Sequence, residues 1–175
     1  MNLVSLIAVS AATAIAASFQ ASLPPGTSPA GMRLSGGGSI VRADGAVIGQ
    51  ANVYRGGEGF RDYLFQVAVR GLAPGVHGVS VHKTGQCKGP RFRSAGAIWD
   101  RSGSRGSRGR SGVLGDIAVG ASGAGRLEVL VREPAIYTSG PQLLDFDGSA
   151  IVIRDQSVRS GLSDGIACGV LKPNR

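Results

Sequence analysis

Gly71-Leu72-Ala73-Pro74-Gly75-Val76-His77-Gly78-Val79-Ser80-Val81-His82 is a turn that feeds a strand. Pro74 presets φ, and Gly75 tolerates conformations that other residues avoid, which is the chemistry of a tight turn. Past the turn, Val79 and Val81 point to one face and Ser80 and His82 to the other. Both histidines of the chain, His77 and His82, lie in this stretch, and Cys87 and Ser94-Ala95-Gly96 follow it. An i, i+2 pair on the polar face of a strand is a natural place for two metal ligands. Of the pair Ser80 and His82, only His82 is a good ligand.

Outward from this stretch the same pattern recurs. Asp44-Gly45 marks a hairpin turn, and 47–54 reads as a strand with Val47, Gly49, Ala51 and Val53 on one face. Tyr63, Phe65, Val67 and Val69 alternate with Leu64, Gln66, Ala68 and Arg70. A short strand at 117–119 is followed by the turn Ser122-Gly123-Ala124-Gly125, after which Leu127, Val129 and Val131 alternate with Glu128, Leu130 and Arg132. Asp147-Gly148 opens 149–154, and Asp164-Gly165 opens 166–171. About eight short strands with turn chemistry between them predict an all-β sandwich or barrel. No stretch has a convincing helical period, and no internal repeat is evident.

The ends and insertions read differently. Residues 3–17 are almost wholly apolar or small, too short to span a bilayer comfortably, and Ala14-Ile15-Ala16 offers small residues for cleavage. Residues 1–16 are therefore expected to be a signal peptide. No second apolar segment approaches membrane-spanning length. Residues 17–38 follow as an expected linker: its 23–38 portion holds three prolines and five glycines and leaves little to pack. The domain is expected over 39–175. Two cysteines in an exported chain form one disulfide or remain as two free thiols. The formal net charge is +8, which favours acidic partners or surfaces without setting the fold.

The stretch 71–82, with Cys87, Ser94-Ala95-Gly96, Gly115-Asp116 and Ala167-Cys168-Gly169-Val170, resembles the copper/zinc superoxide dismutase family. The resemblance covers most of 39–171. It implies an eight-stranded Greek-key β-sandwich or barrel, secreted or periplasmic, with a Cys87–Cys168 disulfide. In the chain-entropy model so long a loop stabilises by roughly 4–5 kcal/mol. It also implies a copper and a zinc, and here the sequence departs from the pattern. The copper histidines fall at Ser80, His82 and Arg154, and the histidine bridging the metals falls at Ile98. On the zinc side one histidine falls at Val113, another should lie within 99–112 where there is none, and the aspartate is kept as Asp116. His82 and Asp116 alone remain, and the resemblance assigns them to different metals. One imidazole does not hold copper tightly, one carboxylate does not hold zinc, and arginine never ligates. His77 matches a structural histidine of the family. The family's catalytic arginine falls at Gly165. Arg154, in the old copper position, is expected to pair with Asp116 or Asp155 and hold the loops, or else to sit exposed at a strand end.

These losses favour a non-catalytic binding or structural module that needs no cofactor. A residual dismutase, turning superoxide into O2 and H2O2 with copper and zinc, is the alternative. The insertion at 99–113 supplies a further feature: Arg101, Arg105, Arg108 and Arg110 spaced by Ser and Gly, with Arg91 and Arg93 ahead of them. Such a segment suits an anionic surface or polysaccharide. Nucleic acid is disfavoured, because aromatic residues make up 5% of the chain and the segment has no stacking platform beyond Trp99. Many members of the family are dimers, and a homodimer is compatible with this sequence. No phosphate-binding loop, Cys-x-x-Cys or nucleophile-elbow motif is present.

Overall fold

The computed structural model describes residues 31–56, 62–99, 112–132, 143–144, 146–157 and 164–174. The expected signal peptide, residues 17–30 of the expected linker, and Arg101, Arg105, Arg108 and Arg110 lie outside the described residues.

The described strands are β1 Met32–Arg42, β2 Val47–Gly56, β3 Asp62–Val69, β4 Gly75–His82, β5 Val113–Val119, β6 Gly125–Val131, β7 Ser149–Arg154 and β8 Gly165–Pro173. They close a barrel in the order β1-β2-β3-β6-β5-β4-β7-β8, with every paired neighbour antiparallel. β4, β5 and β6 are successive neighbours, and β7 returns to lie beside β4, which is the Greek-key arrangement. The all-β expectation therefore holds. The turns behave as their chemistry requires: Gly45 takes φ 83°, and the Asp44 carboxylate accepts from the Ala46 amide at 2.9 Å.

The sheet starts earlier than composition suggests. Residues 32–38, within the stretch read as linker, are the first part of β1, paired with β2 and β8. The reason is steric. A Cβ at Gly36 would come within 2.5 Å of the Lys172 carbonyl oxygen, and one at Gly38 would collide with that of Val170. The glycines that look like a linker are what let three strands lie this close.

Inward-facing residues of the strands fill the barrel, among them Ile40, Val53, Phe65, Val67, Val79, Val81, Ile151 and Ile153. A second, smaller apolar cluster lies apart from this core. Phe92 and Ala95, from the segment after β4, pack with Ala150, Val152 and Cys168, and Cys87 packs against them. β4 is thus buried on both sides. Val79 and Val81 join the main core, while Ser80 and His82, pointing the opposite way, are 1% and 6% exposed.

Candidate functional site

The site is assembled by register. On β4, Ser80 lies opposite Val152 and His82 opposite Ala150; on β8, Cys168 lies opposite Val152. Residues 83–98 then fold back over this patch. The Lys83 amide donates to Ala97 O at 3.0 Å, the Thr84 amide to Ala95 O at 3.1 Å, and the Trp99 amide to Val81 O at 2.8 Å. His82 forms a bridge pair with Ile98. The Cys87–Cys168 disulfide, with Cα atoms 5.6 Å apart, ties the segment to β8.

The hydrogen bonds fix the state of His82. Nδ1 lies 2.7 Å from Gly96 O, and a carbonyl only accepts, so Nδ1 carries the proton. Gly96 takes φ 74°, a left-handed conformation that suits glycine. Nε2 lies 3.0 Å from Ser80 Oγ and accepts from that hydroxyl. Burial lowers the imidazole pKa below its ordinary value, the Gly96 bond opposes this, and the Arg154 charge lowers it further. The ring is therefore a neutral one with both nitrogens engaged. Ser80 donates to His82 in the manner of a nucleophile and base, but it is buried and does not line the adjoining cavity, so the pair offers no accessible nucleophile.

His77 sits between two connections. Its Nε2 lies 2.9 Å from Ala73 O in the turn before β4, and its Nδ1 lies 3.1 Å from Arg154 O at the end of β7. Arg154 lines a cavity of about 280 Å³ with His82, Arg91, Phe92, Arg93 and Asp164. Burial lowers its pKa, and the Asp164 carboxylate raises it. The charge of the Asp164 carboxylate thus acts on this guanidinium. Asp116 sits on β5 opposite Gly78, and its Oδ2 accepts from Ser157 Oγ at 2.6 Å. Gly165, at the position matching the family's catalytic arginine, pairs with Arg154 and also lines the cavity.

Ser80, Ile98 and Arg154, at positions that the resemblance gives to copper, thus each adjoin His82 or share its cavity, and Val113 lies opposite Ser80. The residues do not fit the metals. The His82 lone pair is taken by a hydroxyl, a guanidinium shares the cavity, and the whole chain has only His77 besides. Among the described residues, no three of His, Cys, Asp and Glu come together as a ligand group. Asp164 is the residue that sequence reasoning missed. It was legible only as a turn former before β8, because nothing local signals a contact with Arg91 and Arg93.

Fold and site define a class: a disulfide-tied Greek-key β-barrel with a loop-covered polar pocket outside β4 and β7. The copper/zinc superoxide dismutase (SODC) family model matches residues 47–171, and this chain belongs to that family. A copper-zinc superoxide dismutase of Caulobacter vibrioides is 32% identical over 149 residues, 77% of this chain and 84% of that protein. A SOD-like protein from Bacillus subtilis has the same fold at TM-score 0.66 and 23% identity, over 79% of this chain and 99% of that one. The Cu/Zn superoxide dismutase of Brucella abortus matches at TM-score 0.54 and 19% identity, over 77% and 97% of the respective chains.

Proposed function

We propose that this protein is an exported, non-catalytic member of the family that serves as a binding or structural module. The observation that carries the reading is the His82 ring, its Nε2 accepting from Ser80 and its Nδ1 donating to Gly96, beside the Arg154 guanidinium. A metal at His82 would have to break the Ser80 bond and lie near a fixed positive charge. On this reading His82 and Asp116 are remnants, each now held by hydrogen bonds. Export is supported by the apolar leader at 1–16 and by the disulfide, which persists in oxidising compartments. The Arg101, Arg105, Arg108 and Arg110 segment is the surface we assign to polyanions such as acidic polysaccharides.

The test is elemental analysis of the purified protein after dialysis against copper and zinc, with superoxide dismutation assayed on the same sample. The expected result is far less than one metal per chain and no dismutation above buffer. One bound copper with turnover abolished by His82→Ala overturns the reading and leaves a dismutase with an altered copper site.

A further inference from the structure

The cavity over His82 carries a charge pattern that loss of metal ligands does not by itself require. Arg91, Arg93 and Arg154 line a hollow of about 280 Å³. Among the described residues one carboxylate lines it with them: Asp164 Oδ2 lies 3.3 Å from Arg91 Nε, and Oδ1 lies 3.8 Å from Arg93 Nη2. Among the described lining residues, three arginines thus stand against one carboxylate.

The backbone that carries these arginines is held in place. Arg154 is half-buried at the end of β7, and its backbone carbonyl lies 3.1 Å from His77 Nδ1. Arg91 and Arg93 flank Phe92, which is 3% exposed, packs in the second apolar cluster and takes φ 55°. A left-handed φ is uncommon for a large side chain and persists only where surroundings enforce it. The buried Phe92 ring therefore anchors the segment whose two arginines face the hollow. A second hollow of about 360 Å³ shares Arg91, Phe92 and Arg93 and adds Lys88. Since a water occupies about 30 Å³, the first hollow has room for a tetrahedral ion and several waters.

We propose that this cavity is a binding site for a tetrahedral oxyanion, phosphate or sulfate, either free or as the end group of a larger ligand. The guanidinium fork matches the spacing of oxyanion oxygens and gives charge-assisted hydrogen bonds. Arg154 supplies the inner contact, and Arg91 and Arg93 close from the rim. Asp164 competes with the ligand for the two rim arginines. This inference deepens the binding-module reading and rests on it in one respect, that Arg154 and not copper occupies the inner position. It uses none of the 101–110 arginines.

Calorimetric titration of the full chain at low salt, first with inorganic phosphate, then with inorganic sulfate, and then with a short sulfated saccharide, tests it. One saturable site is expected. Arg91→Gln/Arg93→Gln, changed at exposed side chains that leave the barrel intact, weakens binding by about tenfold or more, as does Arg154→Gln. Asp164→Asn tightens it several-fold. Replacing Arg101, Arg105, Arg108 and Arg110 with Ser leaves inorganic-ion affinity unchanged. Tighter binding of the saccharide than of sulfate identifies an end group; equal or weaker binding identifies the free ion. No saturable binding of either ion up to about 10 mM overturns the proposal. So does an affinity that the rim double variant leaves intact, that Asp164→Asn fails to raise, or that depends on the 101–110 arginines. Failure here leaves the metal and dismutation results standing, so the two readings fall separately.

Discussion

Burial, with the Arg154 charge acting in the same sense, holds the His82 imidazole below its ordinary value of 6.5. The consequence for stability has a definite sign. As pH falls through 6.5 the unfolded chain takes up a proton at this histidine while the folded chain does not, so stability is full above that value and is lost below it. Urea midpoints measured from about pH 7.5 to about pH 5.5 should fall for the wild type and fall less steeply for His82→Gln, whatever that variant's overall stability. Identical slopes would show that His82 does not titrate as its burial requires. Gly165 carries a second residue-scale prediction. A Cβ there would meet Val152 Cγ1 at 2.9 Å and Arg91 O at 3.0 Å. Gly165→Ala should therefore cost about 1–3 kcal/mol, seen as a lower thermal midpoint, and an unchanged midpoint would refute the crowding. A side chain at the matching position of the family's catalytic arginine is thus resisted by packing. The histidine and the glycine stood out in the sequence by their place in family motifs. Their physical state did not, because it depends on Gly96, Arg91 and Val152, which reach them only through the fold.

Among the elements, the segment 83–98 links the barrel to the pocket. Its hydrogen bonds to β4 are few, and its apolar contribution is the small cluster around Phe92 and Ala95. The Cys87–Cys168 bridge, closing a sequence separation of 81, is its covalent tie to β8. Cys87→Ser/Cys168→Ser should lower unfolding free energy by about 2–5 kcal/mol. It should also raise amide exchange in 83–98 ahead of exchange in β2 and β3, since local opening follows contact density. Uniform exchange across segment and barrel would show that the bridge acts on the unfolded chain alone. The strands β3 and β6 were legible because alternation writes their inner faces into the sequence, and β7 because Asp147-Gly148 opens its apolar run. The first strand was not. Met32–Arg42 contains Gly36, Gly37 and Gly38, and a local reading takes such a run for a linker, whereas Lys172 and Val170 on β8 leave no space there for anything but glycine.

At the scale of the whole molecule, the barrel and its charge answer to different parts of the chain. The core is made by alternating apolar residues and is indifferent to the +8 net charge. Four of the 19 basic residues fall in the short run 101–110, in the connection between β4 and β5. That connection, between two neighbouring strands, also carries Arg91 and Arg93. Binding through such a segment is governed by counterion release and falls with salt according to the number of charges engaged. A column of immobilised heparin measures this directly. The wild type should be retained at low salt, and Arg101→Ser/Arg105→Ser/Arg108→Ser/Arg110→Ser should elute at a clearly lower salt concentration. Its thermal midpoint should be unchanged, because arginines spaced by serine and glycine supply no apolar pattern for a core. The rim variant Arg91→Gln/Arg93→Gln should shift elution less, since Asp164 already offsets part of those two charges. Equal retention of the wild type and the quadruple variant would mean that the segment is solvated and idle, and that the basic balance serves the pocket or solubility instead.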